Sequence, residues 1–155
     1  MIEIREIPVS DIEEFWKIHF KYLVDDGIIT DEEDFEYFSG EEYRGIIKDN
    51  MQAEIDRHHM IYFTEGGTKI GAAQYNTYTQ EDGQCFMLDF WVFPEFRGNG
   101  TGHRCFDAFQ EYTKADGALY YLLNSTKENS IRFWKSLGFI ENGVDEDDMP
   151  VFIKR

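Results

Sequence analysis

The segment Arg97-Gly98-Asn99-Gly100-Thr101-Gly102 brings an arginine and three glycines into one short stretch. Such a stretch suits anion chemistry when it joins a strand to a helix. The first turn of a helix carries N–H groups with no internal partner, and the helix dipole attracts negative charge to that end. Glycines turn with positive φ and let the backbone approach a ligand with no Cβ in the way. The flanks fit this reading: Gln84 to Phe93 is an apolar run that meets Pro94, and an amphipathic segment follows the glycines to Ala115. No Gly-Lys-Ser/Thr follows, so this is not a Walker phosphate loop, and the Gly-x-Gly-x-x-Gly spacing of a dinucleotide fold is absent. Asp89 is the second residue with chemical potential, because it interrupts the apolar run. A carboxylate that loses hydration is biased toward its protonated form, which suits a group that must accept a proton near neutral pH. The structural alternative is an Asp satisfied by backbone N–H groups or paired with a base. His19, His58, His59 and His103 have no metal-ligand spacing, and the adjacent pair diverges on a helix or a strand, so no metal is expected.

The elements that must position these residues are legible from periodicity. Ile2 and Ile4 alternate as in a strand, and Ser10 with Glu13 reads as a capping box that opens a helix. That helix places Ile12, Phe15, Trp16, His19, Tyr22 and Leu23 on one face, and Gly27 ends the region. Capping spacings recur at Thr30–Glu33 and Ser39–Glu42, the latter opening a longer helix with Tyr43, Ile46, Ile47, Met51 and Ile55 inward. Met60–Thr64, Lys69–Thr79 and the run containing Asp89 form a three-strand antiparallel meander, turned at Gly66-Gly67 and Gly83. The helix after the glycine loop turns Cys105, Phe106, Phe109 and Tyr112 inward. Ala118–Leu123 then reads as a buried strand, parallel to the earlier one because a helix crosses between them. Ser125–Glu128 opens another capped helix ended by Gly138, and a closing hairpin pairs Phe139-Ile140 with Val151-Phe152-Ile153.

Composition bounds the function. The chain has 155 residues, 42% of them hydrophobic, enough for one domain with a sizeable core. Thirty-one acidic residues against 15 basic ones give a net charge of −16, which argues against nucleic acid. No apolar stretch is long enough to span a membrane, and the N-terminus lacks the regions of a signal peptide, so a cytoplasmic protein is expected. Cys85 and Cys105 read as buried reduced thiols.

Arg97, Gly100 and Gly102 match the Gln/Arg-x-x-Gly-x-Gly/Ala signature, and the segment resembles the acetyl-coenzyme A loop of the GNAT N-acetyltransferase superfamily. Val92, Pro94 and Glu95 precede the loop as they often do there. Phe133-Trp134-Lys135-Ser136-Leu137-Gly138-Phe139 resembles the family's later helix with its Leu-Gly-Phe ending. The resemblance implies an α+β fold of α/β/α layers: a mixed, mostly antiparallel twisted sheet flanked by helices, in the order β-α-α-β-β-β-α-β-α-β-β, with residues 1–155 as a single acetyltransferase domain. It implies transfer of acetyl from acetyl-coenzyme A to a primary amine of a small molecule by direct attack, with no metal. Asp89 is then the general base. The main chain of Arg97, Gly98, Asn99, Gly100, Thr101 and Gly102 holds the pyrophosphate, with Thr101 adding a hydroxyl or only starting the helix, and Arg97 meeting a phosphate or only covering the loop. The backbone of Phe90, Trp91 and Val92 binds the pantetheine arm where two parallel strands splay, and Asn124 and Asn129 are further candidates for that arm.

One departure stands out. Trp134 occupies the place where the family carries a tyrosine general acid, and an indole N–H is a poor proton donor. Trp134 then either packs in the core with Ile131 and Leu137 at helix spacing or belongs to the coenzyme-binding residues, and Tyr120, Tyr121 or water replaces the acid. The family's acceptor site borders the first helices, and here Asp25 to Glu42 holds nine acidic residues and no Lys or Arg, which suits a cationic, polyamine- or aminoglycoside-like acceptor. The alternative is an acetyl-coenzyme A-binding sensor or interaction module with weak turnover. Exposed strand edges leave a homodimer open.

Overall fold

Alternation along the second strand sets the layers. In a computed structural model, which describes all residues from Met1 to Arg155, β2 (His58–Glu65) sends Ile61 and Phe63 to one face of a sheet and Met60 and Tyr62 to the other. The first face packs against α4 (Thr101–Ala115) and α5 (Glu128–Ser136) through Cys105, Phe106, Phe109 and Trp134. The second packs against α1 (Ile12–Asp25) and α3 (Glu41–Met51) through Ile12, Phe15, Trp16, Tyr43, Ile47 and Met51. The sheet therefore lies between helical layers, each face with its own apolar core.

The sheet has seven strands in the order β1-β2-β3-β4-β5-β7-β6, the remaining strands being β1 (Ile2–Glu6), β3 (Thr68–Tyr78), β4 (Gln84–Val92), β5 (Tyr120–Asn124), β6 (Ile140–Val144) and β7 (Pro150–Lys154). All neighbours are antiparallel except β4 and β5, which α4 joins as a crossover. That parallel pair is short. Gln84, Cys85 and Phe86 face Tyr120, Tyr121 and Leu122, and beyond them β4 runs on to Val92 without β5 beside it. The two strands part like the arms of a V.

A bulge in β4 decides which way Asp89 points. Gln74 of β3 pairs with Asp89 and Tyr75 pairs with Met87, so Leu88 is an extra residue, and it is 43% exposed. Before the bulge, Cys85 and Met87 face α4. After it the parity flips: Phe90 and Val92 face α4 while Trp91 joins the core under α1. Asp89 moves with Trp91 to the α1 side. Strict alternation would have left it with Met87.

The connection between β1 and β2 holds three helices rather than two. The additional one, α2 (Glu32–Ser39), is short, buries no residue, and starts where Asp31 accepts from Asp34 N–H at 2.8 Å. Ser10 does not cap α1, because it lies in the 3-10 turn Val9–Asp11 that leads into the helix. Ser39 bonds back to the Phe35 carbonyl, so α3 starts without a side-chain cap. Ile46 and Ile55 are 56% and 61% exposed, whereas Tyr43, Ile47 and Met51 are buried. Ile55 falls beyond the helix end, and α3 has only a narrow inner stripe. No helix is long and apolar enough to cross a membrane. Burial pushes the Cys85 and Cys105 thiols up to about 12, so both remain inert thiols.

Candidate functional site

The glycine loop leads from β4 into α4 through the 3-10 turn Pro94–Phe96. Gly98, Asn99 and Gly100 all take positive φ, at 90°, 54° and 74°. Thr101 is buried and closes the turn, its hydroxyl and its N–H both donating to the Gly98 carbonyl, at 2.9 and 3.1 Å. The N–H groups of Gly98, Asn99, Gly100, Gly102 and His103 donate to no carbonyl of the chain. Nothing lies within 4 Å of where a Cβ on Gly98 or Gly100 would stand. The result is an open row of amides at the positive end of a 15-residue helix. Gly102 is small for another reason: a Cβ there would come within 2.7 Å of Phe133 Cε1, so it sets how closely α4 and α5 pack.

Arg97 does not reach into this row. Its Nε donates to the Val92 carbonyl at 2.8 Å, and its terminal nitrogens donate to Asp26 at 2.7 and 3.3 Å. It braces the loop against the end of α1, and it uses the carbonyl of Val92. The Lys127 ammonium bonds the Asp26 carbonyl, so the start of α5 is tied to the same corner.

Where β4 and β5 part, a cavity of about 670 Å³ opens, lined among others by Tyr22, Asp26, Asp89, Phe90, Asn124, Asn129 and Trp134. A second cavity of about 300 Å³ adjoins it and is lined by Phe90, Trp91, Val92, Gly98, Gly102, Asn129 and Trp134. The two share Tyr22, Asp26, Phe90, Arg97, Asn129, Ser130 and Trp134, and they join the splay to the glycine loop. Trp134 is a buried wall, with its ring edge-on to Phe90 at 5.2 Å. Asn124 lines the cavity, but its amide already donates to Asp145 and the Pro150 carbonyl. Asn129 is exposed and bonds only its neighbour Ser130 N–H.

Asp89 stands in the wall of the larger cavity with its side chain 14% exposed. It is not an isolated carboxylate. Gln74 Nε2 donates to Oδ2 at 2.6 Å, and His19 Nε2 donates to the same oxygen at 3.0 Å. Both donors reach the one oxygen and hold the carboxylate in place. Oδ1 has no hydrogen-bond partner in the chain. Behind Gln74, His58 Nε2 donates to Gln74 Oε1 at 2.8 Å, and Asn76 beside it donates to the Asp56 carbonyl at 3.0 Å. The amide of Gln74 is thereby fixed with its donor toward Asp89. His19 is held in a ring of aromatics, stacked on Phe15 at 5.6 Å and Tyr43 at 6.4 Å.

Tyr120 and Tyr121 require correction. The Tyr121 hydroxyl points under α4, where it meets Thr113 Oγ1 at 2.7 Å and the Gln110 carbonyl at 3.2 Å. The Tyr120 hydroxyl is bound to Asp82 and Gln84 at the opposite end of β5. Neither side chain lines the cleft, because the strand ends its parallel pairing before the splay begins. The residues that sequence reasoning passed over are His19, Gln74 and His58. His19 carried a signal, as a titratable residue on the inward face of a helix rich in aromatics. Gln74 and His58 carried none, because their partners come from register.

Burial lowers the pKa of His58, and its contacts with Gln74 and Asn76 only partly offset this. The unfolded chain therefore binds the proton more readily. The stability from neutral His58 is present above the unfolded value of about 6.5 and is lost as pH falls below it. His58→Phe is expected to cost about 1–3 kcal/mol at neutral pH by leaving Gln74 Oε1 unpaired. It should also flatten the fall of melting temperature between about pH 8 and about pH 5, which thermal unfolding of both proteins checks.

A model of the acetyltransferase (GNAT) family matches residues 13–139. Among solved structures, the fold is similar to the PaiA N-acetyltransferase of Thermoplasma acidophilum in complex with coenzyme A, with a TM-score of 0.73 and 18% identity over 100% of this chain and 99% of that one. It is also similar to an aminoglycoside acetyltransferase from an uncultured soil metagenomic sample, at 0.68 and 16%, covering 94% and 95% of the two chains. The N-acetylglutamate synthase of Neisseria gonorrhoeae, complexed with coenzyme A and N-acetyl-glutamate, gives 0.66 and 16% over 100% of this chain and 35% of that one. No curated protein matches the chain in sequence. The family match spans the chain from the first turn of α1 to the residue before β6, and the protein belongs to the GNAT family of acetyltransferases.

Proposed function

We propose that residues 1–155 act as one domain that moves an acetyl group from acetyl-coenzyme A to a primary amine of a small cationic molecule by direct attack. The row of free amides before α4, opening onto the cavity of the β4–β5 splay, carries the reading. The amides of Gly98, Asn99, Gly100, Gly102 and His103 take the diphosphate, and the unpaired edge of β4 near Phe90 and Trp91 takes the extended amides of the pantetheine arm. The thioester then lies near Asp89, whose Oδ1 receives the proton that the attacking amine must lose. Trp134 and Phe90 wall the arm from the core.

Charge supports a cationic acceptor. Asp25, Asp26 and Asp89 line the larger cavity, while the two cations there, Arg97 and Lys127, are both engaged with Asp26. Asp31 to Glu42 adds further carboxylates on α2 and the start of α3, none facing a Lys or Arg of the same segment. A thermal-shift screen of spermidine, kanamycin and lysine, each with coenzyme A, is expected to show the largest upward shift for the polycations. No shift from either polycation would remove the cationic acceptor.

The indole at position 134 favours a second reading, a protein that binds acetyl-coenzyme A without turning it over. Steady-state acetyl transfer to the same amines separates the two. Thiol release that depends on amine supports the transferase, and coenzyme binding with no release supports the sensor.

A further inference from the structure

Tyr22 is the one phenol whose surroundings match the missing acid, and this rests on the transferase reading above. It lies one turn after His19 on α1, the helix that covers the cleft. Its ring lies flat on Trp91, with centroids 4.4 Å apart and 8° between planes, so its orientation is set by a residue of β4 itself. It lines the cavity of the splay, the adjoining cavity toward the glycine loop, and a third beside Phe93 and Pro94. Trp134 lines the first two of these, so the phenol and the indole border the same space. No other tyrosine lines either of these two cavities. None of the chain's hydrogen bonds engages the Tyr22 hydroxyl, and the residue lines the cavity.

We propose that Tyr22, supplied by α1, protonates the departing coenzyme A thiolate in place of the late-helix tyrosine. The amine nitrogen bonds to the thioester carbon, and Asp89 Oδ1 takes its proton. The C–S bond breaks with its electron pair going to sulfur, and sulfur takes the Tyr22 hydroxyl proton. The proton on Asp89 then passes through cavity solvent to the Tyr22 oxygen, and both groups are restored. Amine and acetyl thioester become amide and free thiol, with no net proton gained or lost by the protein.

The surroundings couple the two transfers. Burial, then the charges of Asp89 and Asp26, raise the Tyr22 pKa, while Arg97 opposes them. His19 packs against the Tyr22 ring, and Tyr43 stacks on His19. Protonation of Asp89 by the amine removes one of the charges that hold the phenol proton. Tyr22 therefore becomes more acidic at the step at which sulfur needs the proton. Before attack, the same charges keep the phenol protonated.

Tyr22→Phe keeps the ring on Trp91 and removes only the oxygen. With acetyl-coenzyme A and whichever of spermidine, kanamycin and lysine turns over fastest, kcat is expected to fall about 100-fold, with KM for both substrates within about twofold. Fluorotyrosines placed at position 22, which lower the phenol pKa stepwise, should shift the alkaline limb of kcat to lower pH in the same order. A purely structural Tyr22 would not produce that shift. Turnover of Tyr22→Phe within about twofold of the unsubstituted protein, or an alkaline limb indifferent to fluorination, would overturn the assignment while leaving the transferase reading intact. Absence of coenzyme A binding in calorimetry, or of turnover with all three amines, would overturn both.

Discussion

Asp89→Asn is expected to lower kcat by about 10²- to 10⁴-fold, with coenzyme A affinity nearly unchanged. The substitution keeps shape. An Asn oxygen can still accept from His19 and Gln74, so the donors now 3.0 and 2.6 Å from Oδ2 keep a partner and the fold keeps its stability. Only basicity is lost, because an amide oxygen does not hold a proton near neutral pH. Coenzyme binding is spared because the free amides belong to the loop and α4, not to the bulged part of β4. Steady-state rates from about pH 6 to about pH 9 test this. Unchanged turnover across that range would remove Asp89 from the proton path, whatever else the cleft does.

Gly100→Val is expected to weaken coenzyme A binding by at least about 100-fold while lowering stability by only about 1–2 kcal/mol. Gly100 has φ 74° and ψ 14° at the start of α4, a left-handed conformation that a β-branched residue adopts at a cost. Yet nothing of the chain lies within 4 Å of the new Cβ, so the side chain does not collide with the protein. It projects into the space the amides leave for a ligand. Gly102→Ala provides the contrast, since its Cβ would meet the Phe133 ring at 2.7 Å and disturb the seam between α4 and α5 directly. Calorimetry for binding and thermal unfolding for stability separate the two effects. A Gly100→Val protein that binds coenzyme A normally would show that the ligand does not lie against this turn.

Much of the frame was legible because its punctuation is local. Gly66 and Gly67 take positive φ at the β2–β3 turn, Gly83 does so at the β3–β4 turn, and Gly27 does so after α1. The periodicity of α1 and α4 located their buried faces, because residues three and four apart share a side whatever the tertiary context. The resemblance placed the glycine loop, where free amides follow from helix geometry alone. What was not legible depends on pairing between distant segments. A bulge leaves no mark in the pattern Met87-Leu88-Asp89-Phe90, so the turn of Asp89 toward α1 had to be seen. Gln74 and His58 reach Asp89 only through the register of β2, β3 and β4. Arg97 had the chemistry of a phosphate ligand, but Asp26, 71 residues away, satisfies it. Tyr120 and Tyr121 lay in the right strand, yet they sit at its paired end rather than at the opening.

The most direct test is a calorimetric titration of coenzyme A set beside one of pantetheine, which shares the arm and lacks the diphosphate. If the amides before α4 grip the diphosphate, coenzyme A binds one to a chain and pantetheine binds at least about 100-fold more weakly, a loss of about 2.8 kcal/mol or more. Equal affinities for the two, or no heat from coenzyme A, would contradict it.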